Sequence, residues 1–128
     1  MKEVIAIVRP GKVGATKRAL AEAGLPSFTC QAVLGRGKQM LGADLAQALA
    51  SAAGDDAPAS VSEALSETMR LVPKRMFTLI VEQEDVDRVV KTVIEVNSTH
   101  SAGDGKIFVL PIEESYRVRN GERSADAY

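Results

Sequence analysis

Two periods alternate along the chain. Residues 2–9 (KEVIAIVR) are rich in apolar and β-branched side chains and stop at Pro10-Gly11, the pattern of a buried strand ended by a turn. From Lys12 to Gly24 the period lengthens: Val13, Thr16, Ala19, Leu20 and Ala23 recur at helical spacing, and Gly24 and Pro26 supply the stop. Residues 28–34 (FTCQAVL) predict a second strand and residues 75–81 (RMFTLIV) a third. Val86, Val89, Val90, Val93 and Ile94 then draw the clearest amphipathic helix in the chain. Gly103-Asp104-Gly105 marks a turn, and residues 106–112 (KIFVLPI) predict the last strand, followed by a polar tail. The order β-α-β-β-α-β predicts an α+β, ferredoxin-like fold in which four antiparallel strands are backed by two helices on one face.

Between the second and third strands, residues 38–73 break this rhythm. They are rich in alanine and serine and carry Gly54-Asp55-Asp56-Ala57-Pro58 in the middle, which reads as a long, mobile insertion. Two stretches within it keep a helical pattern. Ser60-Val61-Ser62-Glu63 has capping-box spacing ahead of Val61, Ala64, Leu65, Thr68, Met69 and Val72, and Leu41, Leu45, Ala48, Leu49 and Ala52 form a second apolar face. So small a domain offers that second face nothing obvious to pack on, so a partner is the expected cover. From Lys38 to Pro73, two basic residues (Lys38, Arg70) face five acidic ones (Asp44, Asp55, Asp56, Glu63, Glu67), a balance suited to a groove with some positive charge.

Composition narrows the class. A chain of 128 residues has room for one core, so a single domain over 1–128 is expected, with the insertion at 38–73 and the tail at 113–128. No apolar run approaches the ~20 residues that span a bilayer, and the first strand is too short and lacks the cleavage site for a secretory signal, so no integral membrane segment and a cytoplasmic location are expected. Cys30 is the only cysteine and His100 the only histidine, so neither an intrachain disulfide nor a closed zinc site is expected from them. Cys30 is expected to be a small buried hydrophobe. A net charge of −1 lacks the basic footprint of nucleic-acid binding, and with few aromatic residues this argues against an RNA-binding domain of the same strand order. No nucleophile-base pair or carboxylate dyad stands out, so no enzyme is expected.

Candidate chemistry gathers in three segments: Gly35 to Gln39, Gly103 to Lys106, and Arg117 to Arg119. Backbone N–H groups of a glycine turn cradle phosphate oxygens, while lysine and arginine neutralise the charge. The topology allows these segments to meet at one end of the sheet, within or between subunits. The Walker A pattern is absent, so this is no P-loop.

Gly103-Asp104-Gly105-Lys106-Ile107-Phe108-Val109, followed by Arg117-Val118-Arg119-Asn120-Gly121-Glu122, resembles the C-terminal signature of nitrogen-regulatory PII proteins. The start M-K-x-V-x-A-I-V-R-P, the helix end A-L-A-E-A-G, V-L-G-R-G-K-Q where PII proteins open their T-loop, and Pro73-Lys74 where they close it agree. Residues 26–30 (PSFTC) with G-R-G-K-Q resemble the nitrogenase-associated branch, and within it the second of the two PII-like proteins encoded among nitrogen-fixation genes.

The resemblance implies a trimeric PII assembly with a nucleotide in the cleft between neighbouring subunits. It implicates Thr29, Gly37, Lys38, Ile80, Gly103, Asp104, Gly105, Lys106, Arg117 and Arg119 in holding ATP or ADP. It further implies that Gln39 binds Mg²⁺ beside the phosphates and 2-oxoglutarate, that Lys74 pairs with the far carboxylate of that effector, and that Arg9 adds a second cation. The function it implies is a signal transducer that binds dinitrogenase through its T-loop and releases it when ATP and 2-oxoglutarate accumulate, as a homotrimer or a hetero-oligomer with a paralogue. The alternative is a regulator of an ammonium transporter or another nitrogen-metabolism enzyme, although the long loop argues against plugging a transporter. The sequence departs from the family at Arg36 and Thr78, and no tyrosine lies between Gln39 and Lys74 to accept uridylylation.

Overall fold

The structure, a computed structural model, describes residues 1–37 and 70–127. The chain divides into two compact units, residues 1–33 with 73–128 and residues 34–72. The described elements are β1 (Lys2–Val8), a 3₁₀ turn at Pro10–Lys12, α1 (Val13–Glu22), β2 (Thr29–Gly35) and β3 (Val72–Val81). They continue with a 3₁₀ turn at Gln83–Asp85, α2 (Val86–Asn97), β4 (Gly105–Pro111), and the two-residue strands β5 (Ser115–Tyr116) and β6 (Arg123–Ser124). The main sheet has the order β2-β3-β1-β4, and β1 runs antiparallel to both β3 and β4. This is the ferredoxin-like arrangement that the hydrophobic pattern predicts.

Alternation on β1 explains the layering. Val4, Ala6 and Val8 are buried, while Glu3, Ile5 and Ile7 point to the opposite face, as the two-residue period of a strand requires. The register places Val4 beside Leu79 and Ala6 beside Phe77. These side chains form one core with Leu20 and Leu25 and with Val86, Val89 and Val93 of α2. Between the helices, the buried Asn97 side-chain amide donates to the Thr16 hydroxyl at 3.0 Å and to the Val93 carbonyl at 2.9 Å. The α1 end is closed by Gly24 at φ 74°, with the Leu25 N–H donating back to the Leu20 carbonyl at 2.8 Å. That is the glycine-terminated helix stop expected from Gly24, and Leu25 is buried beside it.

Four details differ from the pattern-based expectation. β3 starts at Val72, not after Pro73, so Val72 belongs to a strand and not to a helical face. Pairing of β3 with β1 ends at Arg75 opposite Val8, so Pro73 lies beyond β1 and its missing N–H breaks no bond to that strand. Ile94 is 50% exposed, on the flank of α2, and Asn97 takes a buried position in its stead. The tail, read as merely polar, contains the β5–β6 pairing of Ser115 with Ser124 and Tyr116 with Arg123. Cys30 is half-buried against the core, short of full burial. The helical patterns at 41–52 and 61–69 lie outside the described residues.

Candidate ligand-binding site

The turn between α2 and β4 is built from backbone conformations that favour glycine. Gly103 has φ 91° and Gly105 φ 134°. A Cβ on Gly105 would lie 2.0 Å from the Ile7 carbonyl oxygen, so β1 approaches too closely for any side chain there. Inside the turn, the Asp104 carboxylate accepts hydrogen bonds from the Thr99 N–H at 2.6 Å, from the Thr99 hydroxyl, and from the Ser101 N–H at 3.3 Å. The Thr99 hydroxyl is the main reason that the Asp104 carboxyl is held down from 3.8 to about 2, with the Thr99 and Ser101 amides and Arg9 acting in the same direction.

Two cations contact this turn and a third lies at the start of the strand that leaves it. Arg9 follows β1; its Nη2 donates to the Ala102 carbonyl at 3.0 Å and lies 3.4 Å from Asp104 Oδ1, while its buried Nε has no hydrogen-bond partner. Lys74 of β3 donates from Nζ to the Gly103 carbonyl at 2.7 Å. Lys106 of β4 is exposed, with Nζ 5.6 Å from the centre of the Phe108 ring. Glycine amides and several lysine or arginine donors at one turn form an anion-binding inventory.

The tail holds a second group. Arg117 pairs with Asp126 at 2.9 Å and approaches Glu122 at 4.0 Å, and its backbone N–H donates to the Glu122 carbonyl at 2.8 Å. The Gly121 and Asn120 amides both donate to the Arg117 carbonyl, curling residues 117–122 into a turn that leaves Arg119 exposed. The tail is anchored where the Ala127 N–H donates to Glu82 at 2.9 Å.

The sheet register separates the two groups. Gly105 lies opposite Val8, and Pro111 lies opposite Lys2. A seven-residue β4 therefore puts about 20 Å between the Gly103–Lys106 turn and the root of the tail. Arg9, Lys74, Gly103, Asp104, Gly105 and Lys106 are brought together at one end. Arg117 and Arg119 belong to the other end, where Ile80 also lies, opposite Glu3. Thr29 opens β2 and is exposed, and Gly37 is exposed in the other unit. Lys38 and Gln39 lie outside the described residues. Within one chain, the two described cationic segments do not converge at one end of the sheet.

Sequence reasoning missed Thr99, Ser101 and Ala102. A Thr-x-Ser-x-x-Asp spacing ahead of a glycine is a signal for side-chain capping of a turn, and it was available. A cavity of about 450 Å³ between Met1, Ile112 and the tail is lined by none of the predicted site residues. No group of three or more His, Cys, Asp or Glu side chains among the described residues is placed to hold a metal ion.

Comparison with known proteins gives the geometry a context. The profile of the family "Nitrogen regulatory protein P-II" matches residues 1–122. The chain is 42% identical over 127 residues to "Nitrogen fixation nifHD region GlnB-like protein 2" of Methanothermobacter marburgensis, covering 99% of each chain. It is 43% identical over 129 residues to the protein of the same description in Methanococcus maripaludis, again covering 99% of each. Among solved structures, Arabidopsis thaliana PII bound to citrate superposes with a TM-score of 0.65 at 29% identity, covering 97% of this chain and 85% of that one.

Proposed function

Because the chain belongs to the nitrogen regulatory protein P-II family, we propose that it is a trimeric, non-catalytic signal transducer that senses ATP or ADP together with 2-oxoglutarate and regulates nitrogen fixation by binding dinitrogenase through residues 38–73. The observation that carries the sensing part is the turn at Gly103–Lys106, contacted by Arg9 and Lys74 and bearing the exposed Lys106. A triphosphate and a dicarboxylate both suit that donor set, and the citrate of the Arabidopsis relative is a carboxylate ligand of the same class.

The separation of that turn from Arg117 and Arg119 supports a site completed by a second copy: a nucleotide gripped by both sets has to lie between neighbouring chains. An uncovered sheet face supports the assembly. Phe108 and Leu110 are 43% and 38% exposed, and the register aligns them with the half-buried Ile5, Ile7, Met76 and Ile80 on the face opposite the helices. The relatives named for nitrogen-fixation gene regions support the regulated process. Gln39 is the residue that would reach Mg²⁺, which when bound would neutralise phosphate charge next to the effector.

Calorimetric titration with 2-oxoglutarate tests this reading. Strong binding is expected in Mg-ATP and little in Mg-ADP, with Lys74→Ala losing most of the response. Equal binding in both nucleotides, or none in either, contradicts it.

A further inference from the structure

A carboxylate in the middle of a phosphate-binding turn is a chemical oddity, since an open Asp104 would repel the anion that Lys106 attracts. The structure resolves it by turning that carboxylate inward. The Asp104 side chain is only 19% exposed, and its two oxygens meet the Thr99 hydroxyl and amide, the Ser101 amide and the Arg9 guanidinium. Arg9 also closes on the Ala102 carbonyl, so the side of the turn that bears the negative charge is filled by donors. The Gly103 carbonyl, a further negative end of a dipole, is covered by Lys74.

We infer that Thr99, the Ser101 amide and Arg9 form a cage that masks the Asp104 charge from a bound phosphate, which makes Thr99 a positioning residue for the nucleotide at the Gly103–Lys106 turn. The inference rests on the nucleotide-sensing reading and deepens it. Thr99 acts through Asp104: its hydroxyl keeps the carboxylate pointed into the turn, so the face presented to a ligand carries amides and cations. Losing that hydroxyl exposes a negative charge a few ångströms from the phosphates, where each unit charge weighs heavily.

A charge mask and a purely structural brace predict opposite signs in a double substitution. Mg-ATP affinity of the full chain is measured by calorimetry, with the fold of each variant followed by circular dichroism. Under the mask, Thr99→Val weakens binding by roughly tenfold, Thr99→Ser restores it, and Thr99→Val/Asp104→Asn binds more tightly than Thr99→Val alone because the exposed charge is gone. A brace predicts that the double variant binds more weakly than either single one, and that result overturns the inference, as does unchanged affinity in Thr99→Val. If Thr99→Val does not fold, Thr99→Ala takes its place in the same comparison: tighter binding by Thr99→Ala/Asp104→Asn than by Thr99→Ala supports the mask, and weaker binding overturns it. A wild-type chain that binds no ATP overturns the nucleotide reading and this inference together, whereas a wild-type chain that binds while the variants misbehave overturns the inference only.

Discussion

Gly105 sits where the carbonyl of Ile7 leaves no room for a β-carbon, in a conformation at φ 134° that L side chains rarely adopt. Gly105→Ala is therefore expected to destabilise the fold by about 2–3 kcal/mol or more, read as a lowered urea midpoint with an unchanged slope. Its neighbour Asp104 ties the turn to pH. A carboxyl held near 2 when folded and near 3.8 when free contributes stability that is fully present above about pH 4 and is lost as pH falls toward 2. Asp104→Asn should thus lie below wild type in urea melts at pH 5, with the gap closing at pH 2.5; a constant gap would contradict the linkage. At this scale the turn itself was legible, because Gly103-Asp104-Gly105 is strong local chemistry. The partners of its carbonyls were not: Lys74 reaches Gly103 across 29 residues and Arg9 reaches Ala102 across 93, and no local pattern encodes such contacts.

At the scale of elements, α1 and α2 follow from the helical period, since each buries one face and the period names that face, and β1 and β4 follow from apolar runs bounded by turns. The exceptions have physical reasons. β3 continues back through Pro73 because β1 has already ended there, and a chain pattern does not reveal which neighbours a strand lacks. β5 and β6 are two residues each, too short to carry a period. Asn97 was unreadable as a core position because its burial depends on Thr16 of the facing helix. Asn97→Ala should cost about 1–3 kcal/mol by leaving the α1–α2 contact underfilled and the Thr16 hydroxyl without its donor, and Leu79→Ala about 2–5 kcal/mol by opening a cavity in the sheet side of the core. Chemical denaturation of the two variants checks both values, and near-wild-type stability in either would contradict the packing described.

On the scale of the whole molecule, the family was legible from paired motifs at both ends of the chain, and the ligand assignment rests on how those motifs are distributed. The register puts Lys106 and the root of the tail that carries Arg117 at opposite ends of one sheet, a fact that sequence spacing alone concealed. The central claim, a nucleotide site assembled from two copies, is tested most directly by mixing subunits. Lys106→Ala and Arg117→Ala/Arg119→Ala are each expected to abolish Mg-ATP binding when pure. Unfolded and refolded together in equal amounts, they assort at random, and about one site in four receives its lysine from one variant and its arginines from the other. Recovery of roughly that fraction of wild-type ATP sites in the mixture, counted by calorimetry, is the predicted result; a mixture that forms hybrid oligomers by native mass spectrometry and still binds no ATP would contradict the account.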